Sequence, residues 1–167
     1  MAQNVKNVVL STSFTRPSDT TTYAAEDSVN ATGGVTTCIT FDVADGFDIT
    51  TGMSLQIKTA ILRTNSTTTT NGSFRLNLYD QSVSGFVDNS PFPMLWANRE
   101  KKVGYIDFTL ATGGSGSDSA EAIVTDVNIS VRTEATNIFG ILIAKAAYVP
   151  TSAQQFYLEL NAFGIDT

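Results

Sequence analysis

Apolar and polar residues alternate one by one along most of the chain. In segment 73–80, the alternate positions Phe74, Leu76 and Leu78 are apolar, and the positions between them are more polar. Successive side chains of a β-strand point to opposite faces, so this pattern predicts a strand with one face in a core. Segments 54–61, 103–110, 123–131 and 156–163 show the same alternation. In segment 54–61 it assigns Leu55, Ile57, Thr59 and Ile61 to one face.

Segment 139–148 differs because both of its faces are apolar, with Ile141 and Ile143 on one side and Leu142 on the other. Such a strand is predicted to be central in its sheet, or to have its second face covered by a partner. Segment 35–43 predicts a further apolar strand, and segments 8–14 and 23–29 predict weaker ones.

Turn residues separate these segments. Asn71-Gly72 lies between two alternating runs, which is typical of a tight β-hairpin. All four prolines fall between the strand patterns, as expected for a residue that cannot donate to a ladder. Segment 92–101 predicts a short helix packed through Leu95 and Trp96, and Thr50-Thr51-Gly52 predicts a single helical turn.

The elements predict an all-β fold, an antiparallel two-sheet sandwich of the jelly-roll kind with eight or nine strands. An immunoglobulin-like sandwich is smaller and usually shows a Cys and Trp pattern that this chain lacks. Residues 1–19 are interpreted as an extended N-terminal arm, and residues 20–167 as a single sandwich domain. The 167 residues fit one domain.

Composition and net charge limit the classes of partner that the chain is expected to bind. Threonine occurs 24 times, and charged residues make up only 16% of the chain, a balance that suits β-structure. The net charge of −6 disfavours nucleic acid and anionic membranes as partners. No run approaches the ~18 apolar residues of a membrane-spanning helix, and the first residues lack the apolar region of a secretory signal.

The residues predict no catalytic, cofactor or metal site. The chain contains no histidine, which removes the histidine-based catalytic arrangements and histidine-ligated zinc. The single cysteine, Cys38, can form no disulfide within the chain, which suits assembly in a reducing cytoplasm. Asp42, Asp45 and Asp48 are rich in oxygen ligands, but their spacing is not that of an EF-hand calcium loop.

Three stretches carry a family resemblance. They are Leu76-Asn77-Leu78-Tyr79-Asp80-Gln81-Ser82, then Asp88-Asn89-Ser90-Pro91-Phe92, then the stretch from Asn98 to Phe108 that contains Arg99-Glu100-Lys101-Lys102. Together with Phe139-Gly140-Ile141 and Phe156-Tyr157-Leu158, they resemble the capsid decoration, or cement, proteins of tailed bacteriophages. The resemblance covers roughly residues 55–163 and is a pattern of strands and a loop rather than a sharp motif.

The resemblance implies a non-enzymatic virion protein. Such a protein sits on the capsid exterior, often as a homotrimer at threefold positions, clamps subunits of the major capsid protein, and is assembled in the host cytoplasm. Segment 1–19 is then predicted to lie across a neighbouring subunit or the capsid floor. The residues predicted to contact the partner or other copies are Val5, Val8, Leu10, Phe14, Phe86, Phe92, Leu95, Trp96, Leu142 and Tyr148.

Two alternatives remain open. Aromatic residues near Trp96 could form a carbohydrate platform, which would make the chain a carbohydrate-binding or receptor-binding module of a virion. The same aromatics could instead hold a long loop against the domain, since Trp is usually well buried. The second alternative is a jelly-roll capsid subunit, although the chain lacks the basic inner arm that would contact a genome.

Overall fold

The computed structural model describes residues 5–31, 38–43, 52–134 and 136–165, and it confirms the all-β, jelly-roll-like sandwich. Within those residues, eleven strands and one turn of 3-10 helix are present. The bounds are β1 Val5–Thr15, β2 Ser28–Val29, β3 Ile39–Val43, β4 Ser54–Thr64, β5 Ser73–Tyr79, β6 Lys102–Thr109, β7 Ala111–Thr112, β8 Ala120–Val124, β9 Ile129–Arg132, β10 Ile138–Ala144 and β11 Gln155–Ile165. The 3-10 turn is Trp96–Asn98.

The strands form one continuous antiparallel path that folds into two layers. Its order is β6-β5-β10-β3-β1-β11-β4-β8-β7, with β2 beside β10 and β9 beside β4. Strand β3 makes the corner, because Ile39–Phe41 pairs with β10 and Asp42 pairs with β1. We call the layer of β2, β5, β6 and β10 sheet I, and the layer of β1, β4, β7, β8, β9 and β11 sheet II.

The core lies between the two sheets and is rich in aromatic rings. Phe74 of sheet I contacts Phe156 of sheet II edge to face, with ring centroids 5.6 Å apart. Phe14 of β1 stacks on the same ring at 5.5 Å. The alternate positions of β11, Phe156, Leu158, Leu160 and Ala162, are all buried as the sequence pattern predicts.

The faces predicted for segment 54–61 are wrong in the second half of β4. Leu55 and Ile57 point into the core, but Ala60 and Leu62 follow them there in place of Thr59 and Ile61. The pairing with β11 shifts register between Asn161 and Ala162, opposite Lys58. This β-bulge inserts one residue, which exchanges inward and outward positions for the rest of the strand.

Three local predictions also differ from the structure. Segment 123–131 is two strands, because Asp126 and Asn128 adopt positive φ angles of 57° and 52° between β8 and β9. Asn71-Gly72 forms a turn but no hairpin, since β4 and β5 lie in different sheets. The predicted helix in segment 92–101 is only the 3-10 turn, and Thr50-Thr51 lies outside the described residues.

Strand β1 changes the interpretation of segment 1–19 as an arm. From Val5 to Thr15 it pairs residue by residue with β11, and at Leu10 and Ser11 it also pairs with β3. Pairing on both edges makes β1 an internal strand of sheet II, so residues 5–15 belong to the sandwich rather than to a free arm. Within the described part of the chain, no helix has the length and apolar character needed to cross a membrane.

Candidate functional site

Around β10, the outer face of sheet I is apolar, which is unusual for a surface turned away from the main core. Alternate residues of β10 project there, and Ile141 and Ile143 are almost fully buried. They form a second apolar cluster with Cys38, Tyr79 and Val83. Something must therefore cover this face, as the two-sided pattern of segment 139–148 indicates.

The cover comes from the chain itself. Residues 80–101, which we call the strap, connect β5 to β6 and lie over the second cluster. Phe86 and Phe92 of the strap pack on the cluster and on each other, edge to face at 5.2 Å. Strand β10 pairs with β5 on one side and with β3 on the other, which agrees with the prediction that segment 139–148 is a central strand. The strap covers the second face of β10, so that face does not require a partner protein.

Backbone hydrogen bonds fix the strap to the short strand β2. The Ser28 N–H donates to the Ser90 carbonyl at 2.8 Å, and the Asn89 N–H donates back to the Ser28 carbonyl at 2.8 Å. The Phe92 N–H donates to the Glu26 carbonyl at 2.9 Å. The middle of the strap is thus held almost as an additional strand would be.

A buried ion pair fixes the strap a second time. The guanidinium of Arg16, just beyond β1, is completely buried and lies 3.3 Å from the Asp88 carboxylate of the strap. The Tyr23 hydroxyl donates to Asp88 Oδ1 at 2.6 Å, and the Asn30 N–H donates to the same oxygen at 2.9 Å. Arg16 Nε in turn donates to the Tyr23 hydroxyl oxygen at 2.9 Å, which closes the network.

Burial of this network changes the pKa values of two of its members, Asp88 and Tyr23. Burial raises the pKa of the Asp88 carboxyl, and the hydrogen bonds from Asn30 and Tyr23 oppose the rise. Burial also raises the pKa of the Tyr23 hydroxyl, with a further contribution from Asp88, so Tyr23 remains a hydrogen-bond donor at physiological pH. The groups are paired and buried, which suits a structural tie.

The strap tip, Leu95 and Trp96, behaves differently from the rest of the strap. Trp96 opens the 3-10 turn, and 81% of its surface is exposed. The Arg99 guanidinium lies 5.5 Å from the centroid of the indole ring. The prediction that the aromatics hold the loop against the domain is confirmed for Phe86 and Phe92 and is wrong for Trp96, which projects into solvent.

The residues predicted to form an interface fall into three groups. Val8, Leu10, Leu142 and Tyr148 are buried in the core of the protomer. Phe14, Phe86 and Phe92 are half-buried and pack against the two clusters. Val5, Leu95 and Trp96 are exposed, so the structure leaves these three free for a partner.

The sequence analysis missed Arg16, Tyr23 and Asp88. Arg16 and Asp88 are 72 positions apart, and no local pattern connects them. The one signal was Arg16 itself, a charged residue two positions beyond the predicted strand 8–14 and directly before Pro17. Cys38, by contrast, lies directly before β3 and is buried, with its Sγ 3.7 Å from the Ser82 hydroxyl.

Within the described residues, no segment covers the outer face of sheet II as the strap covers that of sheet I. Its outer face carries Tyr157, Glu159 and Asn161 of β11, flanked by Arg63 of β4. Arg63 lies 3.3 Å from Glu121 and 3.8 Å from Glu159. Among the described residues, no group of three Asp, Glu, Cys or His side chains is placed to hold a metal ion on this face or elsewhere, and Asp45 and Asp48 lie outside the described ranges.

Comparison with known proteins finds similarity in structure alone. No protein-family model matches the chain, and no curated protein matches it in sequence. Among solved structures, a chain of the cyanophage Pam1 capsid asymmetric unit is similar with a TM-score of 0.33 and 17% sequence identity, over 98% of this chain and 86% of that chain.

Two structures of infectious bursal disease virus are also similar. The Gt strain matches with a TM-score of 0.20 and 12% identity, over 98% of this chain and 42% of that chain. The VP2 subviral particle matches with a TM-score of 0.16 and 13% identity, over 95% of this chain and 42% of that chain. TM-scores this low do not establish a common fold, so these similarities assign no function to the chain.

Proposed function

We propose that this chain is a virion structural protein of the decoration, or cement, type, which binds the outside of a capsid and stabilises contacts between major capsid subunits. The observation that carries the proposal is the strap tip. A Trp side chain with 81% of its surface exposed stands on a segment that is tied to the fold by backbone hydrogen bonds and a buried ion pair.

Exposed Trp residues on fixed segments suit protein binding. Trp and Arg are the residue types that most often dominate the binding energy of protein interfaces, and here Arg99 lies beside Trp96. Because the strap is already ordered, little conformational entropy would be lost when the tip docks. These properties support a role in which the chain binds another protein and performs no chemistry.

The charge distribution supports one orientation of docking. The whole chain has a net charge of −6, yet Arg99, Lys101 and Lys102, three of its ten basic residues, lie within six positions of Trp96, with one acidic residue, Glu100, among them. A surface of this kind is steered tip-first towards an acidic patch and is repelled elsewhere. The major capsid subunit is therefore expected to offer an apolar pocket with acidic groups around it.

The location and oligomeric state belong to the same proposal. The resemblance in sequence supports a homotrimer on the capsid exterior, assembled from chains made in the host cytoplasm. In closed threefold symmetry each subunit would present its strap tip in the same orientation to the capsid surface. Sedimentation of the free protein and of the capsid complex would measure this state.

The test is co-sedimentation with capsids that lack the protein. Wild-type protein is expected to pellet with the capsids and to saturate, and Trp96→Ala is expected to weaken binding at least about tenfold, as for a hot-spot residue. Ile123→Ala is the matched control, because Ile123 is also an exposed large apolar residue but lies on sheet II. Equal binding by Trp96→Ala and wild type would remove the strap tip from the proposal, and no binding by wild type would reject the function itself.

A further inference from the structure

The outer face of sheet II is an ordered grid of side chains that no part of the described chain covers. Strands β1, β11 and β4 pair in register, so their outward residues form rows across the sheet. One row is Ser13, Tyr157 and Arg63. The next pairs Thr15 with Gln155, and Asn65, just beyond β4, donates its N–H to the Gln155 carbonyl at 3.4 Å. Near the other end of β11, Phe163 lies between Asn7 and Gln56.

Two shallow depressions lie on this grid, and an outward-facing aromatic residue lines each of them, Tyr157 in the first and Phe163 in the second. The first, of about 350 Å³, is lined on its outer side by Ser13, Thr15, Arg63, Asn65, Gln155 and Tyr157. The second, of about 340 Å³, is lined by Asn7, Val9, Lys58, Thr59, Asn161 and Phe163. At the rise of a β-strand, about 3.3 Å per residue, Tyr157 and Phe163 are about 20 Å apart along β11.

The ring in each depression is accompanied by amide groups and by one cation, Arg63 in the first and Lys58 in the second. The Arg63 guanidinium lies 5.7 Å from the centroid of the Tyr157 ring. Phe163 is 39% exposed, so its ring is available to a ligand. Amide groups of Asn65 and Gln155 lie near Tyr157, and that of Asn161 lies near Phe163. Asn65 Oδ1 already accepts the Gln155 N–H at 2.8 Å, which fixes this side chain before any ligand arrives.

Charges between the depressions are largely neutralised within the protein. Arg63 pairs with Glu121 and Glu159, and the Tyr157 hydroxyl donates to Glu159 Oε2 at 2.9 Å. Asn161 Nδ2 donates to Glu159 Oε1 at 2.9 Å. The second cation, Lys58, donates to the amide oxygen of Asn128 at 2.7 Å. Because the two cations Arg63 and Lys58 are balanced by the two carboxylates Glu121 and Glu159, the face gives little electrostatic attraction to a polyanion or to a strongly charged protein surface.

From these observations we infer that the outer face of sheet II binds a neutral oligosaccharide. Sugar rings would lie against Tyr157 and Phe163 through their apolar C–H faces, and the neighbouring amide and hydroxyl groups would bond to the sugar hydroxyls. Depressions of this volume are within the usual range for small-ligand sites. Their separation fits a linear chain of several sugar units rather than a single sugar. This activity goes beyond capsid binding and does not depend on it.

The experiment is calorimetric titration of the full chain with five neutral hexasaccharides, derived from cellulose, starch, xylan, mannan and chitin. At least one is expected to bind with a dissociation constant of millimolar or tighter. Tyr157→Ala and Phe163→Ala are each expected to weaken that binding about tenfold, in line with the loss of one stacking contact. Tyr157→Phe keeps the ring and is expected to retain most of the affinity.

Matched controls locate the site. Trp96→Ala and Tyr105→Ala remove exposed aromatic residues away from sheet II and are expected to leave saccharide affinity unchanged. The inference is overturned if none of the five saccharides binds, if a sulfated hexasaccharide binds while the neutral ones do not, or if Trp96→Ala abolishes binding and Tyr157→Ala does not. It is equally overturned if Tyr157→Ala changes only the sedimentation of the protein, because the face would then join two copies of the chain. Thermal unfolding of each variant confirms that a loss of binding is not a loss of fold.

Discussion

The outer faces of the two sheets differ in how far they are covered by the chain itself. On sheet I, the outward residues of β10 are apolar and are buried beneath the strap, so that Ile141 is only 3% exposed. On sheet II, the outward residues of β11 are polar or aromatic, and the outward Ile123 of β8 is 54% exposed. Equivalent positions on two strands thus have different environments, because a connecting segment covers one face and not the other.

This difference separates what stabilises the molecule from what is available to a partner. The strap uses its apolar residues Phe86 and Phe92 for the fold and leaves Trp96 at its tip for contact. Sheet II contributes most of its apolar residues to the main core and leaves charged, hydroxyl, amide and aromatic groups outside, together with Ile123. A strand that is apolar on both faces therefore need not indicate a missing partner, since the same chain can provide the second layer.

The largest expected effect comes from breaking the strap's ion pair. Asp88→Ala leaves the Arg16 guanidinium buried next to an empty position and removes an acceptor from Tyr23 and Asn30. Losing one partner of a buried pair is expected to lower the free energy of unfolding by about 3–5 kcal/mol. Urea unfolding measures the change.

Asp19→Ala is the control for that measurement. Asp19 also lies 2.9 Å from Arg16, but its side chain is exposed to solvent. Loss of an exposed partner is expected to cost far less unfolding free energy than loss of the buried one, because solvent screens the exposed charge. A cost for Asp88→Ala as small as that for Asp19→Ala would show that the ion pair does not hold the strap.

A matched pair of isoleucines tests the contrast between the covered and the bare face. Ile141→Ala creates a cavity beneath the strap and is expected to cost about 2–5 kcal/mol of unfolding free energy. Ile123→Ala makes the same chemical change on the bare face and is expected to stay within about 0.5 kcal/mol. Similar losses in the two variants, measured by urea unfolding, would contradict the assignment of covered and bare faces.

The smallest expected effect is a pH dependence of the unfolding free energy. It arises from an ion-pair network on sheet I, formed by Asp107 with Arg75 and Lys145. Arg75 makes two hydrogen bonds to Asp107, at 2.8 and 2.9 Å, and Lys145 adds a third at 2.9 Å. The hydrogen bonds from Arg75, with those from Lys145, lower the pKa of Asp107 to about 2. The fold thus favours the ionised carboxylate.

The sign of the effect follows from that lowered pKa. Stabilisation by Asp107 is complete above the unfolded-state pKa of about 3.9 and is lost as the pH falls towards 2. Because these groups are about one-third exposed, the contribution is expected to be no more than about 1 kcal/mol. Asp107→Asn should reduce the loss of unfolding free energy between pH 4.5 and pH 2, and an unchanged pH profile would refute this role.

Alternation in the sequence was sufficient to predict the fold class and most inward faces. It works for β11, where Phe156, Leu158 and Leu160 reach the core, because period-2 patterning is a direct consequence of strand geometry. It fails for β4 beyond Lys58, because a bulge is stabilised by contacts from elsewhere. The Val127 N–H, for example, donates to the Lys58 carbonyl at 3.1 Å.

The candidate site was predictable only in part. Trp96 stood out in the sequence as the one tryptophan, but its exposure depends on how the strap is held. The Arg16–Asp88 tie joins residues far apart in the chain and becomes visible only in the folded protein. The grid on sheet II likewise depends on the register of three strands, which alternation alone does not determine.

The most direct test of the proposed function is the abundance of the chain in purified virions from the source that encodes it. Quantitative mass spectrometry would compare its copy number with that of the major capsid protein. A decoration protein is predicted to be present in numbers comparable to the major capsid protein and to be removable without loss of the shell. Absence from the virions, or only a few copies per particle, would contradict the account.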